Sequence, residues 1–326
     1  MPKISVIIPC YNAGEFLSRS INSVLQNDLQ DIEIIAINDG STDNTLEILG
    51  NFSDDRLSII DQPNSGASAA RNAGINKASG EFVLFLDSDD FLCPNILNEL
   101  YQNAIKFDAD IVFGNFNYYY DESKVIAQTN YETNSGLVDK ERFLFDYFTI
   151  SKSVFPCIWG KIIKTSLLKD NNLKFIDKVF VAEDANLNAK LIWLAQKIVK
   201  INKPICNYQI GSNNSSKQMK FKHFSDVRIV QSDLERFFDK FSLNDTQKAY
   251  VNAYFLNLKY AAALTLKPYS FDDYGKVMEF ACADIKTAFK SPGFKLLNKK
   301  LKILFYLFRF SFSYKIYAKI IGLKFK

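Results

Sequence analysis

Short apolar runs alternate with helix-like segments over the first hundred residues of this chain. Four short, mainly apolar runs predict buried strands, and they lie at residues 4–9, 32–37, 57–60 and 82–86. Residues 13–26 repeat apolar side chains at helical spacing, and small side chains dominate a helix-like segment at 67–78. Repeated strand–helix units of this length predict a mostly parallel sheet with helices on both faces.

The pattern weakens after residue 95. The later predicted elements are a strand at 111–116, a loop at 118–135 and short helices at 159–168 and 183–194. From about residue 217 onward the pattern is helical, with few turn signals. We therefore predict an α/β domain at residues 1–212 and a smaller, all-helical region at residues 213–326.

The composition is that of a globular protein with a substantial core. The chain has 326 residues, of which 48% are hydrophobic, and its few glycines and prolines exclude a collagen-like or disordered chain. Five widely spaced cysteines without a CxxC pair argue against a disulfide framework or a zinc ribbon. Because the N-terminal residues lack the pattern of a signal peptide, we expect a cytoplasmic protein with reduced thiols.

Charge is distributed unevenly along the chain. The net charge is +4, but residues 285–326 carry eleven Lys or Arg and no acid, so the remainder is acidic. Basic and aromatic residues alternate at 295–326, and the charges interrupt every apolar stretch there, which argues against a spanning helix. We expect this segment to contact the inner face of the cell membrane peripherally. The alternative is a helix packed on the domain or in a homo-oligomer. Nucleic-acid binding is not expected, because no such motif accompanies the charge.

A cluster of acids directly follows the fourth predicted strand, in the run FLDSDD. The carboxylates of Asp87, Asp89 and Asp90 repel one another unless a cation or solvent neutralises them. Oxygen ligands favour Mg²⁺ or Mn²⁺, and such an ion can bridge a diphosphate and stabilise it as a leaving group. The alternative interpretation is a solvated turn that caps the next helix without a metal.

Polar residues also follow the first two predicted strands. In the run NDGSTD after the second strand, Asp-Gly favours a tight turn, and Ser41 or Thr42 can cap the next helix. Asp39 then remains to accept hydrogen bonds from a ligand. Tyr11, which follows the first strand, can stack on a base, although a single tyrosine more often contributes to packing.

The small-residue segment at 64–74 contains a single arginine. Small side chains let a helix N-terminus approach a phosphate closely, and Arg71 adds a fixed positive charge. The alternative is a helix packed tightly on the sheet, with Arg71 paired to an acid.

Taken together, these motifs closely resemble those of the family 2 inverting glycosyltransferases, which have the GT-A fold. The matching runs are SVIIPCYNAGEFLSRSINSVLQN, IEIIAINDGSTDNT and NSGASAARNAGINKASGEFVLFLDSDD. The resemblance is dense over residues 3–100 and continues more thinly to about residue 210. It implies a GT-A-type, Rossmann-like α/β fold. It also implies transfer of a sugar from a UDP-sugar to a hydroxyl of a glycan, polysaccharide or lipid-linked acceptor.

The resemblance also assigns roles to individual residues. The nucleotide-sugar would contact Pro9, Tyr11, Asp39, Arg71, Asp87, Ser88, Asp90, Trp159 and Lys161. Within this set, Pro9 and Tyr11 would line the uracil pocket. In the DXD motif formed by residues 87–89, Asp89 would bind Mn²⁺ or Mg²⁺, with Asp87 and the single histidine, His223, as further candidate ligands. His223 has an alternative interpretation as an ordinary helix residue.

Asp184 matches the catalytic base of the family. It would accept a proton from the acceptor hydroxyl, and the metal would stabilise the departing UDP. From the residues alone, the preferred interpretation of Asp184 is an acid at the start of a helix, where the helix dipole favours a negative charge. Two other functions remain open. A sugar nucleotidyltransferase would carry a Gly-rich, basic loop after its first strand, which residues 10–14 lack. The second open function is that of a non-catalytic protein that binds a nucleotide or a partner.

Overall fold

A computed structural model describes residues 1–128, 130–149, 157–211, 224–265, 290–297 and 302. The chain divides into two compact units. The first comprises residues 1–140 and 155–212, and the second comprises residues 141–154 and 213–326.

The first unit alternates strands and helices, as predicted for its N-terminal part. In chain order its elements are β1 (Ile4–Cys10), α1 (Leu17–Leu25), β2 (Ile32–Asp39), α2 (Thr45–Gly50), β3 (Leu57–Gln62), α3 (Ala67–Lys77), β4 (Phe82–Phe85), β5 (Phe91–Leu92), α4 (Leu97–Phe107), β6 (Ile111–Asp121), β7 (Lys124–Gln128) and β8 (Gly136–Leu137). After α5 (Lys140–Thr149), which lies mainly in the second unit, they continue with β9 (Lys161–Lys164), α6 (Thr165–Lys169), α7 (Glu183–Leu194) and β10 (Ile198–Gln209).

The ten strands form one sheet with the order β3-β2-β1-β4-β9-β6-β10-β5, in which β7 pairs with β6 and β8 with β10. Strands β3, β2, β1 and β4 are parallel, as predicted. The other half is mixed, because β9 runs antiparallel to both β4 and β6, whereas β6 and β10 are parallel. The α/β prediction is therefore confirmed, and the parallel arrangement applies to the N-terminal half. The ends of β1, β2, β4, β6 and β10 and the start of β9 share one edge of the sheet.

Helices cover both faces of this sheet. On one face, α1 and α4 pack against alternate residues of β1, including Val6 and Ile8, in a large apolar cluster. On the other face lies α3, whose Gly74 is so close to the sheet that a Cβ there would stand 2.4 Å from the Cγ2 of Ile7. The small residues of α3 therefore permit close packing, and Ala or any larger residue at position 74 would have to displace the side chain of Ile7.

Three local predictions are wrong. The expected loop at 118–135 contains the end of β6 and strand β7, which form a hairpin. The expected helix at 159–168 is strand β9 followed by the short helix α6, and β10 was not predicted at all. Strand β9 has only four residues, KIIK, and β10 is interrupted by buried Lys200 and by Pro204, so neither shows a readable apolar run.

The described parts of the second unit are helical. They comprise α5, α8 (Phe224–Phe238), α9 (Asp245–Thr265) and a 3-10 helix at Pro292–Leu296. Tyr147 of α5 stacks on Tyr254 of α9 with ring centroids 5.5 Å apart, and their hydroxyls lie 3.2 Å apart. Gly293 permits the 3-10 helix to contact α9 closely. Within the described ranges, no helix is both long enough and apolar enough to cross a membrane. The predicted membrane or oligomer segment at 295–326 lies almost entirely outside the described residues.

Candidate active site

The loops that follow β1 and β2 are joined by hydrogen bonds. The backbone N–H of Asn12 donates to Ser41 Oγ at 3.1 Å, and the N–H of Thr42 donates to Asn12 Oδ1 at 2.8 Å. Ser41 and Thr42 therefore connect two loops and do not cap α2, which begins later, at Thr45. Next to this junction, Pro9 is partly exposed and Tyr11 is 53% exposed, so both side chains are accessible at the shared edge.

Asp39, at the end of β2, is buried and fully engaged by its own chain. Its Oδ1 accepts hydrogen bonds from Gln62 Nε2 at 2.7 Å and from the N–H of Ser65 at 2.9 Å. Its Oδ2 accepts from the N–H of Gly66 at 2.8 Å. Asp39 thus anchors the loop that leads into α3, and its predicted contact with a base remains a prediction.

Arg71 projects from α3 into a group of carboxylates. Its guanidinium lies 2.8 Å from Asp87 Oδ1, 3.3 Å from Asp184 Oδ1 and 3.7 Å from Glu183 Oε1. The ring of Phe175 lies beneath the guanidinium, 5.3 Å away. Burial lowers the pKa of Arg71, but the three carboxylates raise it above its ordinary value. This arrangement corresponds to the pairing alternative, and it places the acid after β4 next to the acid that begins α7.

The acidic turn after β4 contains one buried and two partly exposed carboxylates. Asp87 and Asp89 are partly exposed, as is Ser88 between them, whereas Asp90 is 1% exposed. Asp90 accepts the N–H of Gln209 at 2.8 Å, and its own N–H donates to the carbonyl of Asp87 at 3.0 Å. Asp90 therefore has a structural position behind the turn, whereas Asp87 and Asp89 remain partly accessible to solvent.

Two acids of this turn, Asp89 and Asp90, have pKa values above the ordinary aspartate value. Burial and the neighbouring Asp87 carboxylate raise the pKa of Asp89 to about 6. Burial and the carboxylates of Asp87 and Asp89 raise the pKa of Asp90 well above its usual value. A cation at the turn would remove this repulsion.

We expect the metal-free protein to lose stability, relative to an Asp89→Asn variant, as the pH rises from about 4 to about 6. The folded state holds the Asp89 proton more tightly, with a pKa of about 6 against an ordinary 3.8. Protonated Asp89 therefore contributes its full stabilisation of the folded state below the pKa that it has in the unfolded chain. This contribution, which is at most about 3 kcal/mol, is lost as the pH rises through the pKa of the folded state. Urea unfolding of both proteins at several pH values measures it. Parallel stability curves would contradict the expectation.

Asp184 lies in the first turn of α7, next to Glu183. Its Oδ2 accepts the N–H of Ile158 at 3.1 Å, while its Oδ1 faces Arg71. Burial raises the pKa of Asp184, against the lowering effect of Arg71, and burial together with Asp184 raises that of Glu183. The preceding residue, Ala182, adopts a left-handed conformation with φ of 65°, which turns the chain sharply into α7. A carboxylate with a raised pKa and partial exposure has the properties of a general base.

The segment before β9 reaches the site because β9 runs antiparallel and begins at the shared edge. Trp159 is 6% exposed and stacks on Tyr208 at 5.5 Å, so its ring contributes mainly to packing. Lys161 is buried, and its Nζ donates to the carbonyl of Cys157 at 2.8 Å and to Asn188 Oδ1 at 2.9 Å. Burial lowers the pKa of Lys161. The sugar contacts predicted for both residues remain predictions.

Two residues at the site escaped the sequence predictions. Glu183 joins the carboxylates around Arg71, and its position beside Asp184 was the available signal. Arg19 of α1 donates to the carbonyl of Asp89 at 3.1 Å. No sequence signal marks Arg19, because an arginine on an amphipathic helix normally faces solvent. His223 lies outside the described residues.

The donor set at the turn fits a divalent metal ion. Among the described residues, no group of three or more His, Cys, Asp or Glu side chains is arranged as a complete metal site. Mg²⁺ commonly uses only one or two carboxylates and takes its remaining ligands from substrate phosphates and water. The partly exposed carboxylates of Asp87 and Asp89, with the raised pKa of Asp89, suit that arrangement.

Comparisons with known proteins agree with this geometry. Residues 5–164 match the family described as Glycosyl transferase family 2. Glycosyltransferase GlyG of Streptococcus pneumoniae is 45% identical over 221 residues, which cover 65% of this chain and 72% of GlyG. Glycosyltransferase GlyA of the same species is 34% identical over 223 residues, which cover 66% of this chain but only 32% of GlyA.

The fold also has a close match among solved structures. Residues 1–349 of TarS from Staphylococcus aureus, in complex with UDP-GlcNAc, superpose with a TM-score of 0.75 at 22% identity. The match covers 94% of this chain and 87% of that one, which shows a common GT-A architecture. The parallel half-sheet, the acids at its edge and the identity to GlyG lead to one conclusion. The chain is a glycosyltransferase that belongs to glycosyl transferase family 2.

Proposed function

We propose that this protein is an inverting enzyme that transfers a sugar from a UDP-sugar to a hydroxyl of a glycan, polysaccharide or lipid-linked acceptor. The observation that carries the proposal is the position of Arg71, which holds Asp87 and Asp184 on one guanidinium. An acid of the proposed donor site is thereby adjacent to a separate acid that can act as base. In a single-displacement reaction the acceptor hydroxyl attacks the bound donor directly, so the base must lie close to the donor site.

The proposed donor site lies along the shared edge of the sheet. Exposed Tyr11 and neighbouring Pro9 would contact the uracil, while Asp39 shapes the adjacent loop. Asp87 would bind the ribose side, and Asp89, supported by Asp87, would hold Mn²⁺ or Mg²⁺. Such an ion supplies charge neutralisation to the departing diphosphate. The UDP-GlcNAc bound in the TarS structure, which shares the fold of this chain, supports UDP as the proposed nucleotide.

Asp184 would perform the proton transfer. Its carboxylate takes the proton of the acceptor hydroxyl while that oxygen forms a bond to the anomeric carbon. The bond from this carbon to the diphosphate oxygen breaks on the opposite face, so UDP leaves and the configuration inverts. The raised pKa of Asp184 makes it a stronger base than a solvent-exposed aspartate. Arg71 keeps the Asp184 carboxylate oriented and limits the rise of its pKa.

We expect UDP, among UDP, GDP, CDP and dTDP, to raise the melting temperature, and to do so more with Mn²⁺ than with EDTA. The metal-dependent part should be absent from Asp89→Ala, whereas the variant should keep the metal-independent part, because Asp89 does not contact the base pocket. A thermal-shift panel measures both, and hydrolysis of UDP-sugars by the wild type then tests for turnover. Arg56→Met, far from the edge, is the control.

Each negative result would have a distinct meaning. A shift with UDP but no turnover on any sugar or acceptor would favour a non-catalytic, nucleotide-binding protein. A shift with another nucleotide would replace UDP in the proposal. No shift with any nucleotide, in a folded protein, would contradict the proposed donor site.

A further inference from the structure

The guanidinium of Arg19 is enclosed by aromatic rings beside the acidic turn. Its central carbon lies 4.3 Å from the ring centroid of Phe91, 5.1 Å from that of Tyr119 and 5.5 Å from that of Phe16. Phe91 and Tyr119 in turn contact each other edge to face at 4.9 Å. Cation–π contacts on several sides hold an arginine in one orientation.

Within this enclosure, Arg19 connects the acidic turn to the end of β10. Its Nη2 donates to the backbone carbonyl of Asp89 at 3.1 Å and to Gln209 Oε1 at 2.6 Å. The backbone N–H of Gln209, at the end of β10, also donates a hydrogen bond to Asp90 Oδ1 at 2.8 Å. These two residues are 119 positions apart along the chain. The acidic turn is therefore held to the end of β10 in two places, once directly and once through Arg19.

We propose that Arg19 and Gln209 form a clamp that positions the acidic turn for the metal–diphosphate group, and that Arg19 is a positioning residue for the reaction. This inference rests on the proposed function. Arg19 holds the backbone of Asp89, which carries the side chain assigned to the metal. Fixing the Asp89 carbonyl restrains the backbone of this residue and so restricts the directions in which its carboxylate can project. The positive charge also opposes the crowding of the carboxylates when no cation is bound, because Arg19 acts on both Asp89 and Asp90.

An arginine that only stabilises the fold does not have to lie beside the acidic turn, as Arg19 does. Arg56 provides the comparison, because among the described residues its side chain makes four hydrogen bonds against two for Arg19, and two of the four go to the Asp54 carboxylate at 2.8 and 2.9 Å. It also donates to Gln30 and to the carbonyl of Leu25, at the opposite end of the sheet from the acids. Removal of either arginine should cost stability, but only removal of Arg19 should alter the site.

The test measures UDP affinity of the full chain by calorimetry, in Mn²⁺ and in EDTA, for Arg19→Met, Gln209→Met, the double variant and Arg56→Met. For Arg19→Met we expect the dissociation constant in Mn²⁺ to rise roughly 10- to 100-fold, as for other residues that orient metal ligands. The value in EDTA should not change, since Arg19 does not contact the proposed base pocket. Gln209→Met should act in the same direction.

The double variant should lose no more affinity than the more affected single variant, because the two residues act as one unit. Arg56→Met should keep the wild-type values. Wild-type metal dependence in folded Arg19→Met or Gln209→Met would overturn the inference. If Arg19→Met does not fold, Gln209→Met decides the matter, since it leaves the charge and ring contacts of Arg19 in place. A wild-type protein that does not bind UDP at all would instead contradict the proposed function.

Discussion

Asp184→Asn is expected to reduce the turnover number for sugar transfer by roughly 10²- to 10⁴-fold, the contribution typical of a general base. The substitution removes the basic carboxylate but keeps an oxygen that can accept the N–H of Ile158, now 3.1 Å from Asp184 Oδ2. The fold of the first turn of α7 should therefore persist. UDP affinity should be unchanged, because Asp87 and Asp89 retain their contacts. Initial rates at saturating donor and acceptor measure the effect.

Glu183→Gln is the matched control for this experiment. Glu183 is the adjacent acid in the same helix turn, and its side chain is 22% exposed against 23% for Asp184. It also interacts with Arg71, but at the longer distance of 3.7 Å. We expect its loss to change turnover far less. If Glu183→Gln abolished transfer and Asp184→Asn preserved it, the base would be Glu183.

Arg71→Met is expected to lower the free energy of unfolding by about 3–5 kcal/mol, since it leaves several crowded carboxylates without their counter-charge. The side chain of Arg71 is only 7% exposed, so water cannot easily replace it. Arg56→Met should cost about 1 kcal/mol or less, because the Arg56–Asp54 pair is more exposed, at 24% and 28%. Urea unfolding of the two variants and the wild type at pH 7 provides the comparison.

The same variant should change the pH dependence of turnover. Arg71 lowers the pKa of Asp184, so its removal raises that pKa further. The base must be deprotonated to act, and the acidic limb of the turnover profile should therefore move to higher pH. Arg71→Lys should show part of both effects, because one ammonium group cannot contact Asp87 and Asp184 in the forked geometry of a guanidinium. If Arg71→Met had wild-type stability and an unchanged pH profile, the ion pairs of Arg71 with Asp87 and Asp184 would have no role in stability or turnover.

The N-terminal half of the sheet could be predicted from the sequence because its strands are buried on both faces. Such strands appear as continuous apolar runs, and β1, β2 and β4 each have one. Parallel strands end at a common edge, so the acids after β2 and β4 could be assigned to one region from the order of the apolar runs alone. The small residues of α3 likewise predicted close packing, which Gly74 confirms.

The antiparallel half could not be predicted in this way. The four residues of β9 begin with Lys161, a charged residue that is nevertheless buried because Asn188 Oδ1 and the Cys157 carbonyl accept hydrogen bonds from its Nζ. In the sequence, a buried lysine in a short strand cannot be told from a lysine on the polar face of a helix. The hairpin of β6 and β7 has exposed Val125 and Ile126 on its outer strand, so it lacks the apolar–polar alternation of a half-buried pair.

The sequence by itself therefore determined the fold class, the family and the edge of the sheet where polar residues gather, since these depend on local periodicity and short motifs. Only the tertiary structure decided which charged and polar side chains meet. Arg71 and Asp184 are 113 positions apart, and Arg19 and Gln209 are 190 apart. Electrostatic attraction and hydrogen bonding depend on distance in space, which spacing along the chain does not specify when several strands and helices intervene.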